Sequence, residues 1–435
     1  MASDPPATER RLSWLSLRPL GSFGRGVLLV ATGTAFGQAV LALSSPALTR
    51  LYDPEDFAAL AVFTGLLFLL MAVASLRYAM TIPLAPDSRM AADLVGVSLA
   101  VLAAVVLLVA TGVWLLGEHV QGWTNAPEGP YLWLLPVALL VAGINEVLSY
   151  WAIRKKAFDR VAQARISQAF VQALTQIGFG VVHAAPIGLV LGSVVGRAGG
   201  TGRFASLALL HDRPAFAQIS RSGMRAAASR YRNFPLISTG SGLVAVAAAQ
   251  IPALLIGAFF GAKVLGLFAL SQRVVGLPMI LLGNAVSQAY LGHAAELFRS
   301  EPARLQELFQ HLSGRLAAAG LVPIGLLAIG GPWMFSHLFG PDWSEAGTYV
   351  RVLAVMYFVQ FVTGPLGDTL VILERLRLRF FYDASRLALG IGALVAAHAA
   401  GWSAVEAIAL YGGVMACASV LGFSLNSLAL HQAAR

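Results

Sequence analysis

The sequence predicts an all-α integral membrane protein of about twelve transmembrane helices, arranged as two pseudo-symmetric six-helix lobes with both termini cytoplasmic. Three observations predict it. Only 12% of the residues are charged while 57% are hydrophobic, and the mean hydropathy is +0.74, which leaves too little charge to cover a water-facing globule. Apolar segments of spanning length recur along the chain, and clusters of Lys and Arg fall in every second gap between them. Features of the first half also return in the second.

A hydrocarbon core about 30 Å thick takes about 20 apolar residues in a helix. Segments of that length run over 26–49, 57–84, 90–117, 130–151, 158–183, 185–212, 234–260, 264–292, 311–338, 345–373, 378–400 and 402–431. Residues 1–24 before the first read as a cytoplasmic, interfacial tail with Trp14 and Arg18 at the headgroups. A cleaved signal is not expected there, because the apolar run behind them is full spanning length and lacks a convincing small-residue cleavage site. Pro46 falls in the outer half of span one and Pro252 in that of span seven, where a proline removes a backbone hydrogen bond and bends the helix. In span five Gln168, Gln172 and Gln176 form a polar stripe at helical spacing, suited to interhelical hydrogen bonds or the border of a hydrated path. Along span six Gly188, Gly192, Gly196 and Gly200 lay a bare strip that permits close backbone approach. It resembles a nucleotide loop only superficially, since the strand and lysine of a phosphate cradle are missing. Cys417 stands alone in the last span as a small apolar filler, so no disulfide or thiolate metal site is expected.

Lys and Arg near helix ends are retained on the cytoplasmic face. Arg10, Arg11 and Arg18 lie in the N-tail, Arg154, Lys155 and Lys156 in the fourth gap, and Arg213, Arg221, Arg225, Arg230 and Arg232 in the sixth. Arg299 and Arg304 follow in the eighth gap, Arg375 and Arg377 in the tenth. The odd gaps add little beyond Arg50 and Lys263 and hold Asp53, Glu55, Asp56, Glu118, Glu128, Asp342 and Glu345. The net charge of +9 is therefore topology and contact with membrane lipids, and no nucleic-acid partner is expected.

Thr32-Gly33 returns as Thr239-Gly240, an offset of 207 residues, and at that offset Phe57, Ala59 and Leu60 fall on Val264, Gly266 and Leu267. Arg154 with Arg165 returns as Arg375 with Arg386, an offset of 221. Six spans is an even number, so the second copy enters in the same direction as the first, about an axis along the membrane normal. The predicted units are an N-terminal lobe over 25–212, a basic cytoplasmic linker over 213–233 and a C-terminal lobe over 234–435.

Several stretches carry a resemblance: Leu51-Tyr52-Asp53-Pro54-Glu55-Asp56-Phe57, Ser75-Leu76-Arg77-Tyr78, Tyr231-Arg232-Asn233-Phe234-Pro235, Leu265 to Leu297 with Gln272-Arg273-Val274-Val275-Gly276-Leu277-Pro278 at its centre, and Phe339-Gly340-Pro341-Asp342-Trp343. Over nearly its whole length the chain resembles the polysaccharide-transport branch of the multidrug/oligosaccharidyl-lipid/polysaccharide flippase superfamily. The resemblance implies a bacterial inner-membrane flippase that moves undecaprenyl-pyrophosphate-linked oligosaccharide for O-antigen, capsule or exopolysaccharide, by alternating access, with polysaccharide polymerase and glycosyltransferases as functional partners. It also implies a central cavity lined by helices one, two, seven and eight. The family pattern often has an acidic residue after Arg-Tyr, where this chain has Ala79.

A charge at the bilayer centre costs at least about 2.5–3.5 kcal/mol and normally faces protein or water. Arg77, Arg197 and Arg273 lie deep in their spans. The implied cavity admits Arg77 and Arg273 as ligands for the pyrophosphate, with Gln38, Gln250, Asn284 and Gln288 as neutral donors; Arg197 is left peripheral. Arginine suits the task because its planar donors engage phosphate oxygens in pairs and stay protonated; helix-to-helix hydrogen bonding and snorkelling are the plainer roles. Glu146 and Arg165 lie equally far either side of one hairpin tip, as do Asp368 and Arg386 of another, so antiparallel helices are expected to pair them as locks within each lobe.

His183, His293 and His398 lack metal-ligand spacing, so no metal is expected, and no cofactor either; the sequence does not choose between proton and sodium as a coupling ion. No nucleophile elbow is present. The chain is therefore expected not to be an enzyme. A membrane glycosyltransferase, ligase or polymerase acting on the same lipid-linked substrate needs catalytic groups on outer loops, which here are short. A cation-coupled drug antiporter of the same superfamily needs a carboxylate-lined cavity, whereas the deep charges are arginines.

Overall fold

The computed structural model describes residues 22–125, 129–207 and 212–433, and their regular structure is helical throughout. Twelve principal helices are labelled here in chain order: α1 Ser22–Leu43, α2 Pro54–Met71, α3 Ser88–Thr124, α4 Leu135–Arg154, α5 Phe158–Val181, α6 Ile187–Ala198, α7 Thr239–Phe260, α8 Ala262–Ser300, α9 Pro302–Phe339, α10 Ser344–Thr363, α11 Leu376–Ala399 and α12 Ala404–Ala433. The tail residues Trp14 and Arg18 lie outside the described residues. Among the described residues nine helices are long and apolar enough to cross a membrane, which makes this a multi-pass membrane protein. Of the twelve, α5 falls short because three glutamines and Arg165 dilute it, and α6 because the break at Gly199 and Gly200 holds it to 12 residues.

Helix directions follow from contacts. Gly26, Gly33 and Gly37 of α1 meet Phe158, Ala162 and Arg165 of α5 in the same order, so these helices run parallel. Gly188, Gly192, Gly196 and Gly200 meet Phe179, Gln176, Gln172 and Ala164 in reverse order, so α6 runs antiparallel to α5. Gly266 lies on the backbone of Pro54, so α2 and α8 start side by side. In the first half α1 packs on α5, α5 on α6, and α3 on α4; in the second α9 packs on α10, α10 on α12, and α11 on α7 and α12. Between the halves α2 lies against α7 and α8, and α8 against α1.

Several predicted spans are interrupted, spans two and six among them. The α-helix of span two starts where Pro54 follows Asp53, with Asp56 accepting from the Asp53 N–H at 3.0 Å, and it stops at Met71 rather than running to 84. Turns follow, Leu76 and Arg77 take φ of 45° and 61°, and a 3-10 helix completes Tyr78–Leu84. Left-handed conformations cost a non-glycine residue roughly 1–2 kcal/mol each, so tertiary contacts must hold them. Arg154 supplies some: its Nη1 donates to the carbonyls of Ala85 at 2.6 Å and Ile82 at 3.3 Å. The sixth span, expected over 185–212, breaks after Ala198 and resumes as Thr201–Ser206.

The prolines behave differently. α1 ends at Leu43 and a separate turn, Ser45–Leu48, begins around Pro46. By contrast, α7 continues through Pro252 without a break. At 39 and 38 residues, α8 and α9 are each about 57 Å long, well beyond the bilayer core.

Candidate interlobe anion site

The two halves meet most closely at the end of the molecule where α2 and α8 begin. There Trp343 donates its indole N–H to the Thr49 carbonyl at 3.1 Å and sets its ring edge-on to Phe57, with centroids 4.9 Å apart. Leu48, Tyr52 and Phe57 join Leu267, Phe335, Phe339 and Trp343 in one apolar core. A cavity of about 400 Å³ lies beside it, lined by Arg50, Tyr52, Asp53, His183, Asp342 and Trp343 among others. The stretches 51–57 and 339–343, far apart in sequence, thus form one closure.

At the opposite end the connector helix Arg221–Arg230 docks on the first half. Tyr78 donates to the Ala228 carbonyl and Tyr231 to that of Leu84, each at 3.3 Å, while the Asp93 carboxylate accepts from the Ser220 N–H at 3.2 Å. Lys155 pairs with Asp212 at 2.6 Å. The stretches 75–78 and 231–235 therefore also meet.

Arg77 leaves the irregular segment between α2 and the 3-10 turn and crosses to the second half, where its guanidinium lies directly on Gly242 of α7, a position with no room for a side chain. Its Nη1 contacts Met80 Sδ at 3.3 Å, and its buried Nε has no hydrogen-bond partner. Glu146 on α4 lies within coulombic reach of both Arg77 and Arg165, and Tyr150 shares that field. Arg165 in turn acts on Arg197, whose guanidinium sits 5.4 Å from the Phe68 ring centroid. Glu146 Oε2 and Arg197 Nε are also buried without partners. The expected Glu146–Arg165 lock is thus a looser cluster with Arg77 as a second claimant.

Arg273 on α8 donates through Nη2 to the Leu41 carbonyl at 2.5 Å, across the halves. That carbonyl stands at the break before Pro46 and also accepts from Ser44 Oγ at 2.7 Å. Leu41 is near the last residue of α1 and Gly242 near the first of α7, so Arg273 and Arg77 differ in depth by on the order of 20 Å. The structure does not bring them onto one diphosphate. Gln38 and Gln250 are half-buried and Gln288 is exposed; the side chain of Asn284 lies outside the described residues.

The second expected lock is corrected. Asp368 is met by Arg379, not Arg386, at 3.4 Å, and Arg379 also binds Asp383 at 2.9 Å and the Gly367 carbonyl at 2.7 Å. The chain between α10 and α11 is not a simple hairpin but inserts a 3-10 turn and the helix Thr369–Ile372. Arg379 in the first turn of α11 reaches it, whereas Arg386 lies about 10 Å further along. Arg386 faces the Tyr382 ring at 5.7 Å instead. Arg379 was missed because symmetry about a tip ignored how that tip is built; the i,i+4 spacing of Arg379 and Asp383 could have signalled it.

The family model described as polysaccharide biosynthesis protein matches residues 107–348, more than half of the 435 residues. The chain belongs to this family. It is 27% identical over 158 residues to the teichuronic acid biosynthesis protein TuaB of Bacillus subtilis (strain 168), covering 36% of this chain and 32% of that one. It is 28% identical over 163 residues to the amylovoran biosynthesis protein AmsL of Erwinia amylovora, covering 37% and 41%. The matches thus span well under half the length of these curated relatives. In fold, the protein is similar to an inward-facing multidrug resistance MATE family transporter, with TM-score 0.68, 13% identity and 91% and 95% of the two chains covered. The lipid II flippase MurJ, in an inward closed conformation, superposes with TM-score 0.68 and 10% identity over 94% and 90% of the chains. Among the described residues no group of three His, Cys, Asp or Glu side chains could hold a metal.

Proposed function

We propose that this polysaccharide biosynthesis protein is a flippase that carries a polyprenyl-pyrophosphate-linked oligosaccharide from the cytoplasmic to the outer leaflet by alternating access. The observation that carries the reading is the excess of unpaired arginine at membrane depth. Among the described residues Arg77 and Arg165 lie within coulombic reach of Glu146, with Arg197 beside Arg165; Arg273 lies apart on the Leu41 carbonyl, and Arg77 presents an unpartnered Nε between the halves. Buried cations without partners are costly, and a diphosphate headgroup supplies the missing anion. Several sugars cannot be desolvated in hydrocarbon, so the headgroup rides between the halves while the polyprenyl tail stays in lipid.

In this reading the closure at Trp343 is the outer gate, the connector end is cytoplasmic, and the structure is an inward state. Arg77 takes the diphosphate first, aided by the free amides of Gln38 and Gln250. Arg273 holds α1 and α8 together on the outer side until the halves rock, and meets the headgroup later. The twelve helices cross the inner membrane with both termini cytoplasmic, and the lobes 25–212 and 234–435 move about the linker 213–233. Polymerase and glycosyltransferases act on the same lipid-linked intermediate before and after this step.

Deleting the gene should accumulate a lipid-linked oligosaccharide on the cytoplasmic leaflet. Arg77→Gln should reproduce that phenotype while leaving the protein folded, lowering flipping in proteoliposomes about 10- to 100-fold, the scale of one charge-assisted phosphate contact. Wild-type flipping by Arg77→Gln would rule out the assignment, and an intermediate accumulating only on the outer leaflet would rule out the transport step.

A further inference from the structure

We infer that Glu146 is the resident counter-ion of Arg77: it neutralises that arginine while the interlobe site is empty and opposes the incoming anion until it is protonated. The inference rests on the proposed reading of Arg77 as an anion ligand and adds a group that sets how tightly, and at what pH, the anion is held.

Four observations carry it. Glu146 stands on α4, whose partners α5 and α6 bring Arg165 and Arg197, while the segment between α2 and the 3-10 turn brings Arg77. Glu146 Oε2 and Arg77 Nε are both buried and both lack a hydrogen-bond partner. The pair is therefore held at coulombic distance without the direct contact that would make it a lock. The second-half counterpart behaves otherwise, with Asp368 and Asp383 bonded to Arg379 at 3.4 and 2.9 Å. Finally, Arg77 reaches its position through a left-handed φ of 61°, on an irregular segment whose re-aiming does not require a helix to move.

The groups facing Glu146 are Tyr150 on its own helix, Arg77 and Arg165, with Arg197 acting through Arg165. Three cations against one carboxylate leave a surplus that an anion can satisfy. A negative charge fixed near an anion site weakens binding there, because the interaction is strong in a partly desolvated interior. Protonating Glu146, or replacing it by an uncharged isostere, removes that opposition. An anion leaving on the other side of the membrane lets the carboxylate reclaim Arg77 and so helps expel the cargo.

The test measures binding of UDP-glucose, a soluble diphosphate diester, to the purified full-length protein in nanodiscs between about pH 5 and 8, where a buried carboxylate can titrate. Wild-type binding should tighten toward acid pH. Glu146→Gln should bind roughly tenfold tighter at neutral pH, an electrostatic effect of ordinary size, and its pH profile should be flat. Glu146→Asp should keep the slope, and that comparison decides the matter if Glu146→Gln does not fold. A folded Glu146→Gln protein that binds no tighter than wild type, with Arg77→Gln still abolishing binding, overturns the counter-ion role and leaves Arg77 as the anion ligand. Binding that tightens in Glu146→Gln but ignores Arg77→Gln overturns both, and places the anion on Arg165 instead.

Discussion

The helix pair α5–α6 and its counterpart α11–α12 solve the same problem of holding two polar helices together in opposite ways. In the first, glycines bring backbones into contact and glutamines bond across them: Gln176 Nε2 donates to the Leu189 carbonyl at 2.9 Å, and Gln168 Nε2 to that of Arg197 at 3.3 Å. In the second, an aromatic ring does the filling, with Tyr382 of α11 lying across Gly422 of α12. Asn426 of α12 ties that helix to the short Thr369–Ile372 helix by accepting from the Leu370 N–H at 3.1 Å, and donates to its own helix's Gly422 carbonyl at 2.8 Å. Charges follow the same division, bonded directly around Arg379 but held without direct contact around Glu146. In the second pair Asp383, with the neighbouring Asp368, is satisfied locally by Arg379, while the Nε of Arg386 is buried without a hydrogen-bond partner. The first keeps its geometry through backbone bonds, which leaves its charged side chains available for something that comes and goes.

The sharpest way to break this comparison is to fill a glycine. A Cβ on Gly196 would stand 2.5 Å from Gln172 Cβ and 3.1 Å from the Gln168 carbonyl oxygen, and backbone cannot yield as a side chain does. Gly196→Val should cost about 3 kcal/mol and remove most folded protein, seen as lost yield of monodisperse material in detergent. Gly413→Ala on α12, with nothing within 4 Å, should be neutral or slightly stabilising. Equal behaviour of the two would mean that α5–α6 is not held by close approach.

A smaller effect separates the two charge clusters. Arg379→Leu strands Asp368 and Asp383, but Arg379 is 30% exposed and Asp368 46%, so solvent screening limits the loss to about 1–2 kcal/mol. The melting temperature should fall while flipping per folded molecule stays unchanged. Lost flipping at an unaltered melting temperature would show that the second cluster is functional after all.

How much of this was legible beforehand depends on what each feature rests on. Composition and period carry the membrane class and most helices, because hydrophobic length is a local property. The glycine strip and the glutamine stripe were both visible, yet nothing in sequence said that they face each other, since that needs the antiparallel return through residues 182–187. The break at Leu76 and Arg77 was hidden because an apolar run reads as continuous helix whether or not its backbone turns left-handed. For the same reason Arg77 was seen as a deep arginine, while its contact with Gly242 was not. Asp368 found Arg379 rather than Arg386 because the repeat is only approximate where α11 begins.

The smallest expected effect concerns the closure shared by both halves, and it asks whether that closure is a gate or merely a seam. Trp343→Phe keeps an aromatic ring beside Phe57 and removes one bond, the 3.1 Å contact from the indole N–H to the Thr49 carbonyl. A neutral hydrogen bond contributes about 1 kcal/mol net, which is too little to unfold the protein but shifts a two-state equilibrium about fivefold. Cys417 is a free, exposed thiol, so a Cys417→Ser background permits a single reporter at Asp342→Cys in the cavity beside the closure. Its labelling by a membrane-impermeant maleimide should rise about fivefold with Trp343→Phe if the bond holds one of two populated states shut. An unchanged rate would mean that the apolar core around Leu48, Phe57 and Phe335 closes this end by itself, because one missing bond then adds no measurable population of an open state.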